Sequence, residues 1–166
     1  MEKPSNFEVY NMLKFITAIK KLIGHGNLKP SGIILHATAG KSGQSSVEWL
    51  WKINLGYHYI IERDGTIIVG VPRGEVADHA GISKGWAGKG CNSYTIGVSF
   101  ANMDNGELLT KAQILACDEL CAELVRKEPG LKFVSCHKYV SPGRKTDPVV
   151  WSFSDSEYCG MKVWKK

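Results

Sequence analysis

At 166 residues the chain has the length of one domain with a full hydrophobic core. Hydrophobic residues make up 43% and charged residues 22%, the balance of an ordinary soluble globular protein. The formal net charge of +5 favours an anionic partner, yet no dense Lys/Arg run and no nucleic-acid motif accompanies it, so nucleic acid is not expected as one.

In chain order, the first expected element is a helix from about Phe7 to Leu22. Phe15, Ile16, Ile19, Leu22 and Ile23 fall at helical spacing, Ser5 or Asn6 can cap its start, and Gly24 can end it. Lys14, Lys20 and Lys21 interrupt its apolar run, which therefore reads neither as a secretory signal nor as a membrane span. Residues 1–29 are thus expected as a helical extension packed on a main domain of residues 30–166. A short buried strand, "GIILHA", follows at 32–37, then a helix around 46–54 with Val47, Leu50 and Trp51 on one side. Two strands, "YHYIIER" and "TIIVGV", flank Asp64-Gly65, a hairpin signal. A glycine-rich loop fills 73–92, strand "YTIGVSF" follows, "TKAQILACDELCAELVRK" is the clearest helix, and "KFVSCH" is a last core strand. Strands and helices interleave irregularly, so the expected fold class is α/β (α+β): one domain with a central mixed β-sheet flanked by helices.

The five cysteines, Cys91, Cys117, Cys121, Cys136 and Cys159, are odd in number and form no CxxC pair. Reduced thiols and a chain made in a cytoplasm are expected, with one disulfide left open. Cys117 and Cys121, four apart on one helix, are read as small apolar packing groups.

Two buried strands each deliver a histidine at the carboxyl end, His36 after "GIIL" and His137 after "KFVSC". If those strands are neighbours, the imidazoles converge at one edge of the sheet. Asp147 lies on a loop that Pro142 and Gly143 can turn back toward them. Two histidines and a carboxylate suit zinc with a position left open for chemistry. Each residue also has an ordinary role as a turn or capping group, and spacing alone leaves both readings standing. Lys145, two residues before Asp147, is placed to steady an oxyanion or else is a solvated loop lysine. Tyr57 can orient water or assist proton transfer, or fill the core. His58 alternates with Tyr57 and is expected to point to the other face. His79, inside the glycine-rich loop, is weighed as a substrate contact above a metal ligand.

Taken together, "LHATAG", "GYHYIIERDGTI", "DHAGIS", "NSYTIGVSF" and "CHKYVSPGRKTDP" resemble, in order and spacing, the zinc-dependent N-acetylmuramoyl-L-alanine amidases of the type-2 amidase and peptidoglycan recognition protein superfamily. The likeness is greatest to the single-domain phage lysozyme-type endolysins and runs from about Gly32 to Pro148. It implies that residues 30–166 are an amidase catalytic domain with a zinc cleft at one edge of the sheet. It further implies one Zn2+ held by His36, His137 and Asp147, a catalytic tyrosine at Tyr57, an oxyanion-steadying lysine at Lys145, and a peptide groove lined by His79, Ala80 and Asn92. The implied partner is peptidoglycan, met by a monomer without stable membrane insertion. Many members carry Glu where Ser99 stands here, so any support that Glu gives the site must differ in this chain. Three functions compete: an endolysin made in a host cytoplasm and acting on the wall in the periplasm, a cytosolic muropeptide-recycling amidase, and a peptidoglycan-binding module without catalysis. A thiol enzyme using Cys136 beside His137 is disfavoured, because neighbours on a strand face opposite ways.

Overall fold

The computed structural model describes residues 13–85, 88 and 90–165. Eight strands form one mixed sheet: β1 (Phe15–Thr17), β2 (Gly32–Ala37), β3 (Tyr59–Ile61), β4 (Ile67–Val69), β5 (Thr95–Phe100), β6 (Phe133–Cys136), β7 (Glu157–Tyr158) and β8 (Met161–Val163). Among the described residues three α-helices accompany them, α1 (Gly43–Lys52), α2 (Lys111–Lys127) and the single turn α3 (His137–Val140), with a 3-10 turn at Cys91–Tyr94. The sheet order is β1-β4-β3-β5-β2-β6-β8-β7. The centre is parallel, with β2 between β5 and β6, and an antiparallel hairpin lies toward each edge.

Period-2 alternation divides the central strands between two layers. Ile33 and Leu35 of β2, Ile96, Val98 and Phe100 of β5, and Val134 and Cys136 of β6 face α2, where they meet Cys117, Leu120, Cys121 and Leu124. On the opposite face, Val47 and Leu50 of α1 pack on Ile60 and Ile68. That second face also carries His36, Thr95, Gly97 and Ser99, the intervening residues of β2 and β5.

Caps account for the helix limits. Ser42 accepts from the Ser45 amide at the start of α1, and Glu62 Oε1 accepts from the amides of Gly43 (2.9 Å) and Gln44 (3.2 Å). Thr110 and Gln113 form a reciprocal capping box on α2. The Gln113 carboxamide also donates to the carbonyls of Ile61 and Ala101, tying the helix to the sheet.

The structure corrects the expected first helix. Residues 7–12 of that expectation lie outside the described residues, and 15–17 are strand, not helix, running parallel to β4 with Ile16 opposite Ile68. A short run containing β-branched Ile16 and Thr17 satisfies either period, and pairing with the open edge of β4 decides it. Leu22 is buried in the α1 layer while Ile19 and Ile23 stay exposed, so no helical stripe forms. The hairpin at Asp64-Gly65 is as expected, with Gly65 at φ 86° and Asp64 accepting from the Thr66 amide. The β7–β8 hairpin was not expected. It turns through Cys159 and Gly160, both at positive φ, and so has a Cys where turn chemistry favours Asn or Asp.

Candidate metal and catalytic site

Because β2 and β6 are hydrogen-bonded neighbours in parallel, with Leu35 paired to Cys136, their carboxyl ends deliver His36 and His137 side by side. The ring centroids are 4.4 Å apart. Asp147 reaches the same point from the loop after α3. Its Oδ2 stands 3.4 Å from His36 Nδ1 and its Oδ1 3.0 Å from His137 Nδ1. One donor atom from each of the three residues lies within 4.8 Å of the other two, a cluster able to hold a metal ion. His36 is fully buried and His137 nearly so.

The loop carrying Asp147 is held from several directions. The Ala37 amide donates to Asp147 Oδ2 (3.3 Å), and the Lys138 amide donates to the Asp147 carbonyl (2.9 Å). The Lys138 ammonium donates to the carbonyls of Pro148 (2.9 Å) and Trp151 (2.7 Å), a charge-assisted clamp just beyond the carboxylate. Arg144 binds the other side of the site. Its Nη2 donates to the carbonyls of Ala80 (2.6 Å) and Ile82 (2.8 Å), joining the 80–82 loop to the segment that follows α3.

The electrostatics follow from burial and proximity. Burial pushes the His36 imidazole down to about 4, against an upward pull from Asp147. Burial alone would raise Asp147, but the hydrogen bond from His137 and the neighbouring imidazoles of His36 and His137 outweigh it and hold the carboxyl well below the usual range. Near neutral pH His36 is therefore neutral and Asp147 is ionised, the states in which both act as metal ligands. Among the described residues His36 Nδ1 is buried without a hydrogen-bond partner and faces Asp147. A bare imidazole nitrogen, a second imidazole and a carboxylate converging on one point fit zinc as a donor set.

Tyr57 is half-buried, with its ring 4.9 Å from that of His36. Burial and the Asp147 charge push its phenol well up, so the hydroxyl keeps its proton. Lys145 is exposed, and its positive charge is near enough to be felt at His36. Ser99, paired with His36 across β2 and β5, carries a buried hydroxyl that acts on the Tyr57 phenol.

The remaining expected residues are placed as follows. His79 and Ala80 are buried, not lining an open groove, and the His79 ring backs onto His36 with Nδ1 2.9 Å from His36 Nε2. Asn92 uses its carboxamide oxygen on the amides of His79 (3.2 Å) and Ala80 (2.8 Å). These three brace the site from behind. His58 does not turn away from Tyr57's face as alternation implied, because β3 begins only at Tyr59. Its ring is 6.0 Å from that of His79 on the same side of the sheet, where it accepts from the Gly97 amide and donates to the Glu75 carbonyl. Cys136 faces the α2 layer, and burial raises its thiol far above the usual range, so it is inert packing. Lys138, Arg144 and Thr95 were missed. A lysine and an arginine in a turn-rich segment carry no spacing signal, and Thr95 reads only as the first residue of a strand.

Two recesses are lined in part by residues described above, one by Tyr57 and the other by Arg144. One, of about 140 Å³, is bounded by Thr38, Gly40, Ser46, Trp49 and Tyr57. The other, of about 500 Å³, is bounded by Ile82, Lys84, Tyr139, Pro142, Arg144 and Trp164. Among the described residues, no helix is long and apolar enough to cross a membrane.

Comparison with known proteins locates this arrangement. A family model described as N-acetylmuramoyl-L-alanine amidase matches residues 26–149. The chain is 32% identical to the 1,6-anhydro-N-acetylmuramyl-L-alanine amidase AmpD of Escherichia coli over 58% of its own length, and the match spans only about half, 52%, of that relative. It is 31% identical to the corresponding AmpD of Salmonella typhimurium strain LT2, over 72% of this chain and 74% of the relative. Among solved structures, the N-acetylmuramoyl-L-alanine amidase LysC of Clostridium intestinale superposes with a TM-score of 0.69 at 25% identity, covering 81% of this chain and 88% of LysC.

Proposed function

The chain belongs to the N-acetylmuramoyl-L-alanine amidase family, and on that premise we propose that it hydrolyses the amide bond between N-acetylmuramic acid and L-alanine in peptidoglycan. The observation that carries the reading is the convergence of His36 Nδ1, His137 Nδ1 and the Asp147 carboxylate at the carboxyl ends of two adjacent strands. Zinc held by these three residues supplies Lewis acidity toward the amide carbonyl and toward water. The remaining work falls to this chain's own groups. Asp147, kept ionised, contributes the negative charge of the site. Tyr57, kept protonated beside His36, offers a hydroxyl hydrogen to the reacting oxygen and holds the attacking water in line. Lys145 brings an ammonium to the exposed side, where charge develops on the carbonyl oxygen.

Two substrate forms fit this chemistry. The first is intact wall, with the chain acting as an endolysin. The second is soluble anhydro-muropeptide, favoured by the AmpD relatives, whose names specify a 1,6-anhydro-muramyl substrate. Purified sacculi and soluble anhydro-muropeptides, incubated separately with the protein, distinguish them. The amidase reading expects new L-alanine amino termini without new reducing sugar ends, lost on chelation and regained with zinc. Release from sacculi supports the endolysin, and release from fragments alone supports recycling. Metal-loaded protein that binds peptidoglycan and releases nothing refutes the amidase reading in favour of a binding module.

A further inference from the structure

The two imidazoles of the cluster can serve a cation only if each presents a bare Nδ1. What fixes them in that state lies behind the site, in residues that touch neither substrate nor metal. We infer that the dipeptide His79-Ala80 is the positioning element for both histidine ligands, His79 through its ring and Ala80 through its carbonyl. The inference rests on the metal-site reading above.

The argument is an accounting of hydrogens. The Thr95 hydroxyl is 2.7 Å from the Cys91 carbonyl, which can only accept, so its hydrogen is committed there. Toward His79 Nε2, at 3.1 Å, the Thr95 hydroxyl oxygen can then only accept, and so can the Thr95 carbonyl at 3.3 Å. His79 Nε2 therefore carries a hydrogen. Among the described residues no carboxylate lies in hydrogen-bond contact with the buried His79 ring, so with the hydrogen held at Nε2 its Nδ1 is the acceptor. That Nδ1 is 2.9 Å from His36 Nε2, which must be the donor. A neutral His36 with hydrogen on Nε2 has a bare Nδ1, the buried atom that among the described residues is without a hydrogen-bond partner and faces Asp147. The second ligand is held in one step. His137 Nε2 is 2.9 Å from the Ala80 carbonyl, which can only accept, so Nε2 keeps its hydrogen and Nδ1, 3.0 Å from Asp147 Oδ1, is the nitrogen left to face a cation.

Consecutive residues thus set both tautomers, and the chain secures them. One oxygen of Asn92 takes the amides of His79 and Ala80 together. Arg144 donates to the Ala80 carbonyl from the other side. Gly97 leaves the space that the His79 ring occupies, since a Cβ there would stand 2.6 Å from His79 Cγ. Partners that orient metal-bound histidines in this way typically matter ten- to a hundred-fold for metal affinity.

The test is zinc affinity, measured by competition with a chromophoric chelator on wild type, His36→Ala, His79→Phe and His79→Gln, with far-ultraviolet circular dichroism reporting the fold. His79→Phe keeps a ring but offers no acceptor. His79→Gln keeps an acceptor for His36 and a donor for Thr95. The expected result is zinc binding ten- to a hundred-fold weaker in His79→Phe, restored to within several-fold of wild type in His79→Gln. If the Phe variant does not fold, His79→Leu takes its place. Wild-type affinity in the folded apolar variant, or a Gln variant as weak as the apolar one, overturns the inference. If wild type fails to bind zinc, or His36→Ala binds it unchanged, the metal-site reading falls and the inference falls with it. A His36→Ala that loses zinc beside a His79→Phe that keeps it refutes the inference alone.

Discussion

Gly97→Ala adds one methyl group between β5 and the ring that backs His36. The new Cβ would meet His79 Cγ at 2.6 Å, Nδ1 at 2.9 Å and Cβ at 3.0 Å. Ordinary contact begins near 3.4 Å, so the ring must retreat by about 0.8 Å, and the contacted atoms sit at its base, where rotation gives little relief. A shift of that size is enough to take the 2.9 Å bond to His36 past hydrogen-bonding range. Overpacking of a filled interior costs about 1–3 kcal/mol, and about 2 kcal/mol is expected here. Urea denaturation reads the stability, and chelator competition reads zinc affinity, expected to fall about tenfold. A variant within about 0.5 kcal/mol of wild type, with unchanged zinc affinity, would refute both the packing argument and the link from Gly97 through His79 to the ligands.

Lys138→Met removes the ammonium that holds the Pro148 and Trp151 carbonyls and should cost about 2 kcal/mol, with weaker zinc binding because the Asp147 segment loosens. Equal denaturation curves for variant and wild type would show the clamp to be idle. Lys145→Ala should keep zinc affinity and lower turnover sharply, since Lys145 is exposed and enters no ligand contact; a loss of zinc instead would place it in the binding of the ion. Zinc at a hundred times its dissociation constant should stabilise the folded chain by about 2.7 kcal/mol, read as a rise in melting temperature that chelation reverses and that Asp147→Ala abolishes. Burial holds the His58 imidazole at about 4 when folded, below its ordinary 6.5. The unfolded chain therefore takes the proton first, and the contribution of His58 is whole above pH 6.5 and declines as pH falls toward 4. Between about pH 7 and about pH 5 this one group should remove about 2 kcal/mol. Urea melts of His58→Gln should show a shallower pH dependence, and an equally steep one would exclude His58 as a source.

The parts of the fold that were legible in the sequence are those where one physical signal dominates. "GIIL", "IGVSF" and "FVSC" are buried on both faces, so they read as continuous apolar runs ending in or beside polar residues, and the strand-end histidines followed from them. Helix α2 announced itself through its apolar stripe. Adjacency of β2 and β6, on which the cluster depends, was only a condition in the sequence, because pairing between distant strands leaves no local trace. Residues 15–17 were misread because a three-residue edge strand has too few positions to separate the two periods. The role of His79 was hidden for a different reason. Its ring is placed by Gly97, Thr95 and Asn92, which meet only in the folded chain, so "DHAG" alone reads as loop polarity.

The parallel register of β2 and β6 also bears on how the chain folds. His36 and His137 belong to strands roughly a hundred residues apart, and the chain between them holds β3, β4, β5 and α2. Closing so large a loop is among the slower events available to a chain of this size. Neither histidine has its ligand partner before that closure, so tight capture of a cation marks the moment the last distant strands meet. In a refolding experiment the zinc signal should therefore lag the helical one and coincide with the arrival of the complete sheet.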